Sequence, residues 1–114
     1  MIYLAMPYTC LTPEQREYYF AIGCKIAAIL FNECKHVFVP ICFAHPIATR
    51  HSLPANWHFW AEFNEKMLSV CDELWVLTLP GWKNSYGINE EIKIANRLGI
   101  NIKYVDPVNF GIVP

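Results

Sequence analysis

The chain has 114 residues, of which 54% are hydrophobic and 17% are charged, and its formal net charge is −1. This length accommodates one domain with a single core, and the high apolar fraction excludes an intrinsically disordered chain. The near-zero charge argues against a basic surface for nucleic acid, and no run of about 18 apolar residues is present to span a membrane. We therefore predict a single domain over residues 1–114, with neither nucleic acid nor a membrane as its partner.

The spacing of the cysteines favours free thiols. The five are Cys10, Cys24, Cys34, Cys42 and Cys71, an odd number without a Cys-x-x-Cys pair. This pattern fits neither a disulfide framework nor a zinc site. The N-terminal residues lack the basic start and long apolar stretch of a secretory signal, so we expect a cytoplasmic protein with reduced cysteines. Because metal-ligand clusters, a Gly-x-Gly-x-x-Gly motif and a Walker loop are all missing from the sequence, we expect no metal ion and no cofactor.

The first half of the chain starts with a short apolar run and a helix with a clear beginning. Thr12, Pro13 and Gln15 form a capping box with proline at the first helical position. The segment over 41–53 contains Pro46 and shows no clear period. The predicted elements of this half are a buried strand at Ile2–Ala5, a helix from Pro13 to about Asn32, a strand at His36–Pro40 and a long loop over 41–53 with at most one helical turn.

The second half alternates helices and strands. Pro54 starts a helix, Ser85 caps the following one, and Gly99 ends it. In chain order, the predicted elements are a helix from Pro54 to about Cys71, a strand at Asp72–Leu79, a loop at Pro80–Asn84, a helix from Ser85 to Leu98, a strand at Ile100–Val105 and a tail at Asp106–Pro114.

This alternation predicts an α/β fold, a small doubly wound parallel sheet of four to five strands with helices on both faces. The crossovers of such a Rossmann-like sheet are right-handed, and its ligands bind beyond the carboxyl ends of the strands. Three segments are therefore expected to line a site, namely Met6–Cys10, Pro40–His51 and Leu79–Gly87.

Glu91 is the acidic residue in the most unusual position. At roughly 100° per residue, it falls inside the apolar arc of its helix, between Ala95 and Leu98. A carboxylate that faces a sheet is unfavourable unless it is paired or used. Glu91 is therefore either a buried structural acid bonded to a nearby hydroxyl or amide, or a catalytic or ligand-binding residue.

Asn64 stands in the apolar side of the preceding helix in the same way. An inward-pointing amide needs hydrogen-bond partners. These partners are either the backbone of a loop or a hydroxyl or base of a substrate.

Four further positions are candidate site residues. Ser85, with Gly87 close behind, opens a helix and is either an ordinary cap or part of a phosphate site at the helix N-terminus. His45 is either a surface residue or a group for proton transfer. Tyr8 is a core or a ligand-contacting residue, and Trp82 is placed to stack on a planar ligand as a roof.

Three segments together resemble the small nucleoside 2-deoxyribosyltransferase-like proteins. They are Ile2-Tyr3-Leu4-Ala5-x-Pro7-Tyr8, Cys71-Asp72-Glu73-Leu74-Trp75-Val76-Leu77 and Ser85-Tyr86-Gly87-Ile88-x-x-Glu91-Ile92-x-x-Ala95. Among these proteins, the chain is most similar to a short group of bacterial and phage domains of unknown function, DUF1937. The resemblance covers nearly the whole chain and implies a small doubly wound α/β domain.

The resemblance also implies an activity. Characterised relatives cleave the N-glycosidic bond of 2′-deoxynucleosides or their 5′-monophosphates, and a glutamate attacks the anomeric carbon. Glu91 matches that glutamate, while Ser85 and Gly87 match the turn that receives the 5′-phosphate. The first loop, here Met6-Pro7-Tyr8, faces the nucleotide in the relatives. The resemblance therefore implies a small-molecule nucleoside or nucleotide as partner, with Tyr3, Pro7 and Tyr8 among the residues that bind it. Many relatives are homodimers or larger, so we expect a homodimer or a higher homo-oligomer.

Two positions depart from the pattern of these relatives. Asn64, eight positions before Asp72, replaces an aspartate that contacts the sugar and helps catalysis. An amide binds a hydroxyl but does not transfer a proton at neutral pH. His45 is the candidate that replaces this acid. Met6 also stands where the relatives often have Ser or Gly.

These observations leave three hypotheses for function. The first is an N-glycosidase or deoxyribosyltransferase with Glu91 as nucleophile and Asn64 and His45 as assisting residues. The second is a nucleotide-binding module that senses or sequesters its ligand without turnover, which the amide at Asn64 favours. The third is a structural domain of a larger phage or bacterial assembly.

Overall fold

The computed structural model describes residues 1–8 and 11–113. Its helices and strands are, in chain order, β1 (Ile2–Ala5), α1 (Pro13–Asn32), β2 (Val37–Phe38), α2 (Pro40–His51), α3 (Trp57–Ser69), β3 (Glu73–Leu77), α4 (Tyr86–Leu98) and β4 (Asn101–Val105). Two short 3-10 helices, Trp82–Asn84 and Pro107–Phe110, follow β3 and β4. Cys10, at the end of a predicted ligand-facing segment, and Pro114, at the end of the predicted tail, lie outside the described residues.

The strands of the described chain form one four-stranded parallel sheet in the order β2-β1-β3-β4. In this sheet, Tyr3 of β1 lies in register between Phe38 of β2 and Leu74 of β3. The chain first winds from β1 to β2 and then continues on the opposite side of β1, so the winding direction reverses between β1 and β3. The predicted parallel α/β fold is confirmed. Ligands of such sheets bind at the point of reversal.

Helices cover both faces of this sheet. On one face, Ile2 and Leu4 pack with the buried residues of α1. On the other face, Tyr3 and Ala5 pack with buried residues of α3 and α4. Because successive side chains of a strand point to opposite faces, a strand covered on both faces is apolar throughout, as β1 is. The predicted doubly wound, Rossmann-like arrangement is therefore confirmed.

The segment predicted as a long loop after the second strand is mostly the helix α2, so this prediction was wrong. Pro40 occupies the first turn, where its missing N–H leaves no helical hydrogen bond unmade. Ile41, His45 and Ala48 are buried at helical spacing. The period was hidden because a histidine interrupts this apolar stripe and Pro46, normally a helix breaker, stands inside it.

α2 approaches α1 closely at a glycine. A Cβ on Gly23 would lie 3.1 Å from Cys42 Sγ and 3.2 Å from Met6 Sδ, so a larger residue would require a shift. This contact places α2 beside the segment that follows β1. Residues of α2 consequently take part in the site described below.

Three other boundaries differ from the predictions. α3 begins at Trp57 rather than at Pro54, because Oδ1 of Asn56 accepts a backbone hydrogen bond of 2.9 Å and caps the helix. β2 is shorter than predicted, and β3 ends at Leu77. The predicted tail contains a 3-10 turn, and Ile112 beyond it packs into the core on the α1 face.

Three further expectations concern membrane-spanning helices, metal-binding clusters and the state of the cysteines. In residues 1–8 and 11–113, no helix is long and apolar enough to cross a bilayer. The same residues contain no cluster of three or more His, Cys, Asp or Glu that would hold a metal ion. The cysteines described as free thiols are Cys24, Cys34, Cys42 and Cys71.

Candidate functional site

A cavity lies beyond the carboxyl ends of the strands, beside the point where the winding reverses. It contains about 70 Å³ of space that water can reach, which is room for roughly five water molecules. α2, α3 and the first turns of α4 surround it. The lining residues are Met6, Tyr8, Pro40, Ile41, Ala44, Ala55, Asn56, Trp57, Trp60, Asn64, Ser85, Gly87 and Glu91.

Glu91 lines this cavity from the second turn of α4 and is only 5% exposed. It therefore faces the interior beside a hollow, as its place in the apolar arc predicts. Burial raises the pKa of its carboxyl to about 8, and a hydrogen bond from Tyr3 opposes part of this rise. Near neutral pH the protonated form of this carboxyl is therefore favoured.

Tyr3 is the residue that holds Glu91 in place. Its hydroxyl donates to Oε2 of Glu91, and its side chain is fully buried between the sheet and the helices of that face. Burial and the neighbouring carboxylate raise the pKa of Tyr3 well above its ordinary value. The phenol therefore remains a hydrogen-bond donor across the physiological range. Tyr3 lies behind the cavity wall and is not among the lining residues.

Asn64 projects into the same cavity from α3 and is 8% exposed. Among residues 1–8 and 11–113, neither backbone nor side chain makes a hydrogen bond with its amide. A side-chain amide in a buried position normally has partners. Asn64 thus offers one acceptor and two donor hydrogens to whatever occupies the cavity.

The N-terminus of α4 forms another part of the wall. Ser85 is 2% exposed, and its Oγ accepts a hydrogen bond of 3.3 Å from the backbone N–H of Ile88. The predicted cap is therefore confirmed. The first N–H groups of a helix have no helical acceptor, and the helix dipole is positive at this end. Gly87 lines the cavity in this turn, and a Cβ on it would lie 3.5 Å from Cε3 of Trp57.

A chain of three side chains runs from the cavity to the surface. The hydroxyl of Tyr8, a lining residue, lies 2.8 Å from Nδ1 of His45. Nε2 of His45 lies 2.7 Å from Oε2 of Glu17. His45 is buried behind Tyr8, while the Glu17 side chain is 68% exposed.

The family of this chain follows from comparison of its sequence with family profiles. The profile of DUF1937, a domain of unknown function, matches residues 1–106. The chain belongs to the DUF1937 family. No protein of curated function matches the sequence of this DUF1937 domain.

Besides Tyr3 and His45, the predicted site residues Trp82 and Pro7 of the DUF1937 domain lie away from the cavity lining. Trp82 packs against Tyr104 of β4, with ring centroids 5.4 Å apart. Nζ of Lys83 lies over the Trp82 ring, 5.6 Å from its centroid. Pro7 is fully buried beside β1. Neither is among the residues that line the cavity.

The aromatic surface of the cavity comes instead from Trp57 and Trp60, neither of which is among the predicted site residues. Trp60 is fixed by a hydrogen bond of 2.8 Å from its Nε1 to the carbonyl oxygen of Pro54. Trp57 precedes Asn64 by two turns of α3 and Trp60 precedes it by one turn, so the three share a helix face. This spacing is the signal that would have found them.

Proposed function

We propose that this DUF1937 domain is an N-glycosidase of 2′-deoxynucleosides or their 5′-monophosphates, related to the nucleoside 2-deoxyribosyltransferases. The observation that carries the proposal is the buried carboxyl of Glu91, held by Tyr3 against a cavity. A poorly hydrated carboxylate in an apolar wall is suited to attack an oxocarbenium-like carbon. The same residue matches the nucleophile of the resembling family.

The proposed reaction begins with attack of a Glu91 oxygen on the anomeric carbon of the sugar. A bond forms between this oxygen and the carbon, while the carbon–nitrogen bond breaks and its electron pair leaves with the base. Water then hydrolyses the glycosyl ester and restores Glu91, or a second base takes the sugar instead. Tyr3 occupies Oε2. The other oxygen of the carboxyl is therefore the one that attacks.

Other parts of the cavity wall suit the sugar hydroxyl, the 5′-phosphate and the base of a nucleotide. Asn64 offers its amide to a sugar hydroxyl, and the positive N-terminus of α4 at Ser85 and Gly87 suits a 5′-phosphate. Trp57 and Trp60 provide flat apolar surface for a base.

We also propose that the active form is a homodimer. Phe43 of α2 and Phe63 of α3 stack with ring centroids 5.3 Å apart, although 46% and 37% of these residues are exposed. An exposed pair of stacked aromatic side chains is typical of an interface between subunits. Light scattering on the purified protein measures this directly, and replacement of Phe43 by Ser is expected to yield monomers.

A second candidate function is a module that binds a nucleotide without turnover. The unpartnered amide of Asn64 and the raised pKa of Glu91 favour it, because an amide does not transfer a proton at neutral pH and a protonated carboxyl is a poor nucleophile. Replacement of Asn64 by Asp separates the two candidates. An increase in turnover identifies an enzyme with a weakened site, whereas loss of binding identifies an amide that recognises its ligand.

The primary test is release of free base. The protein is incubated at pH 8 with each common 2′-deoxynucleoside and its 5′-monophosphate, and the products are separated by chromatography. We expect free base and deoxyribose, or deoxyribose phosphate, from at least one substrate. Binding seen by calorimetry without any release of base would leave the binding module as the function.

A further inference from the structure

The described lining of the cavity includes two residues with acid–base side chains, Glu91 and Tyr8. Glycosidic cleavage needs one group to attack the sugar and another to protonate the departing base. Glu91 cannot do both in the same step, because it must be ionised to attack. Asn64 has no proton to give at neutral pH. Tyr8 is therefore the remaining group in contact with the cavity.

His45 does not reach the cavity itself. It is buried under Tyr8, and the ring of Phe20 covers it, with centroids 5.0 Å apart. Its two nitrogens are both occupied, one by the Tyr8 hydroxyl at 2.8 Å and the other by Glu17 at 2.7 Å. Any proton that moves between His45 and a ligand must consequently pass through the hydroxyl of Tyr8.

We propose that Tyr8 is the catalytic acid that protonates the leaving base, and that His45 and Glu17 are positioning residues that resupply its proton. This proposal rests on the glycosidase function argued above. The three side chains connect the cavity to an exposed carboxylate, so protons reach the site without opening it to bulk water.

The step balances as a relay. The step uses the protonated form of His45, whose Nε2–H donates to the Glu17 carboxylate and whose Nδ1–H donates to the oxygen of Tyr8. As the carbon–nitrogen bond breaks, the hydroxyl proton of Tyr8 passes to the base nitrogen, and the Nδ1 proton of His45 passes to Tyr8. The products are a neutral base, an intact phenol and a neutral imidazole whose Nε2–H still donates to Glu17.

The surroundings of Tyr8 agree with such a relay. Burial raises the pKa of this phenol, so its hydroxyl keeps its proton and is a weak acid by itself. Proton transfer from the imidazolium in the same step avoids a phenolate. The charged groups that face Tyr8 are Arg16, whose Cζ lies 5.3 Å from the ring centroid, and Glu17, and they act on its pKa in opposite directions.

The test compares two leaving groups. The first substrate is the unmodified deoxynucleoside or deoxynucleotide that the wild-type protein cleaves fastest, whose base requires a proton. The second is 4-nitrophenyl 2-deoxyribofuranoside, whose nitrophenolate departs without one. Tyr8→Phe should lower kcat on the first substrate by about 100-fold and on the second by less than about fivefold. Glu14→Gln, an exposed change on the same helix as Glu17, is the matched control.

The positioning role has a separate readout in the split between kcat and KM. His45→Gln and Glu17→Gln should lower kcat on the unmodified substrate, leave KM within about twofold, and lower kcat on the nitrophenyl substrate by less than about fivefold. Full activity of Tyr8→Phe on the unmodified substrate, or an equal loss on both substrates, would overturn the acid role while leaving the glycosidase function intact. An inactive wild-type protein would overturn both proposals together.

Discussion

The hydroxyl of Tyr3 donates a hydrogen bond to Oε2 of Glu91, and so joins the first strand to the last helix inside the protein. Both residues are at least nine-tenths buried. This bond orients a carboxyl whose other oxygen is free to face the cavity, and it lowers the pKa of that carboxyl against the effect of burial.

Removal of the Tyr3 hydroxyl tests this relationship. Tyr3→Phe leaves the buried carboxyl without its donor, so the pKa of Glu91 should rise further above 8. The ascending limb of the pH–rate profile should shift to higher pH, and the free energy of unfolding should fall by about 1–3 kcal/mol. Tyr18→Phe, at a residue that is 54% exposed, should change neither quantity. An unshifted limb in Tyr3→Phe would show that the bond does not tune Glu91.

The raised pKa of Glu91 also predicts how stability depends on pH. The folded protein retains a proton on this carboxyl up to about pH 8, whereas the unfolded chain releases it near the ordinary value of 4.5. Between these values the folded state binds more protons, so its stability decreases as pH rises, by up to about 1.4 kcal/mol per pH unit. Glu91→Gln removes this dependence.

Denaturant unfolding of wild type and Glu91→Gln at several pH values measures the difference. The advantage of the glutamine variant should grow from pH 5 to pH 8 and remain constant above it. Glu90→Gln is the control, because Glu90 is on the same helix and pairs with Lys93 at the surface. A constant difference between Glu91→Gln and wild type across this range would mean that Glu91 ionises normally in the folded protein.

Asn64 should matter for binding more than for folding. Its amide has no hydrogen-bond partner in the described chain, so Asn64→Ala breaks no internal hydrogen bond. We expect KM, or the Kd of a bound nucleotide, to rise about tenfold, with a change of less than about 1 kcal/mol in stability. Calorimetry and denaturant unfolding measure the two effects. A large loss of stability with unchanged binding would assign Asn64 to the core.

Replacement of Gly87 tests whether a 5′-phosphate binds at the N-terminus of α4. A Cβ here meets only ordinary contact with Trp57, so Gly87→Ala should fold normally. The added methyl group stands at the first turn of α4, where a 5′-phosphate would approach the backbone. We expect KM to rise about tenfold for 5′-monophosphates and to stay within about twofold for nucleosides. Equal effects on both substrates would place the phosphate elsewhere.

The fold and the central residue of the site were predictable from local patterns. Helical periodicity placed Glu91 and Asn64 on inward faces, because a carboxyl or an amide inside an apolar arc is visible in the sequence itself. The helix caps at Thr12 and Ser85 and the apolar run of β1 predicted the alternation of helices and strands, because these signals are also local.

The remainder of the site depends on packing between distant elements. The contacts of His45 with Tyr8 and Glu17 form only because α1 and α2 meet at Gly23, and α2 itself was hidden by a proline inside its pattern. Trp82 was assigned to the ligand because its loop follows a strand, yet its ring packs on β4.

The most direct test of the central claim is the rate of base release by Glu91→Gln, measured beside wild type and Glu90→Gln on the best deoxynucleoside or deoxynucleotide. The glutamine variant retains the shape of the side chain and its contact with Tyr3 but provides no nucleophile. We predict a loss of at least about 1,000-fold in kcat for Glu91→Gln and wild-type activity for Glu90→Gln. Wild-type turnover by a folded Glu91→Gln protein would contradict the assignment of Glu91 as the attacking group.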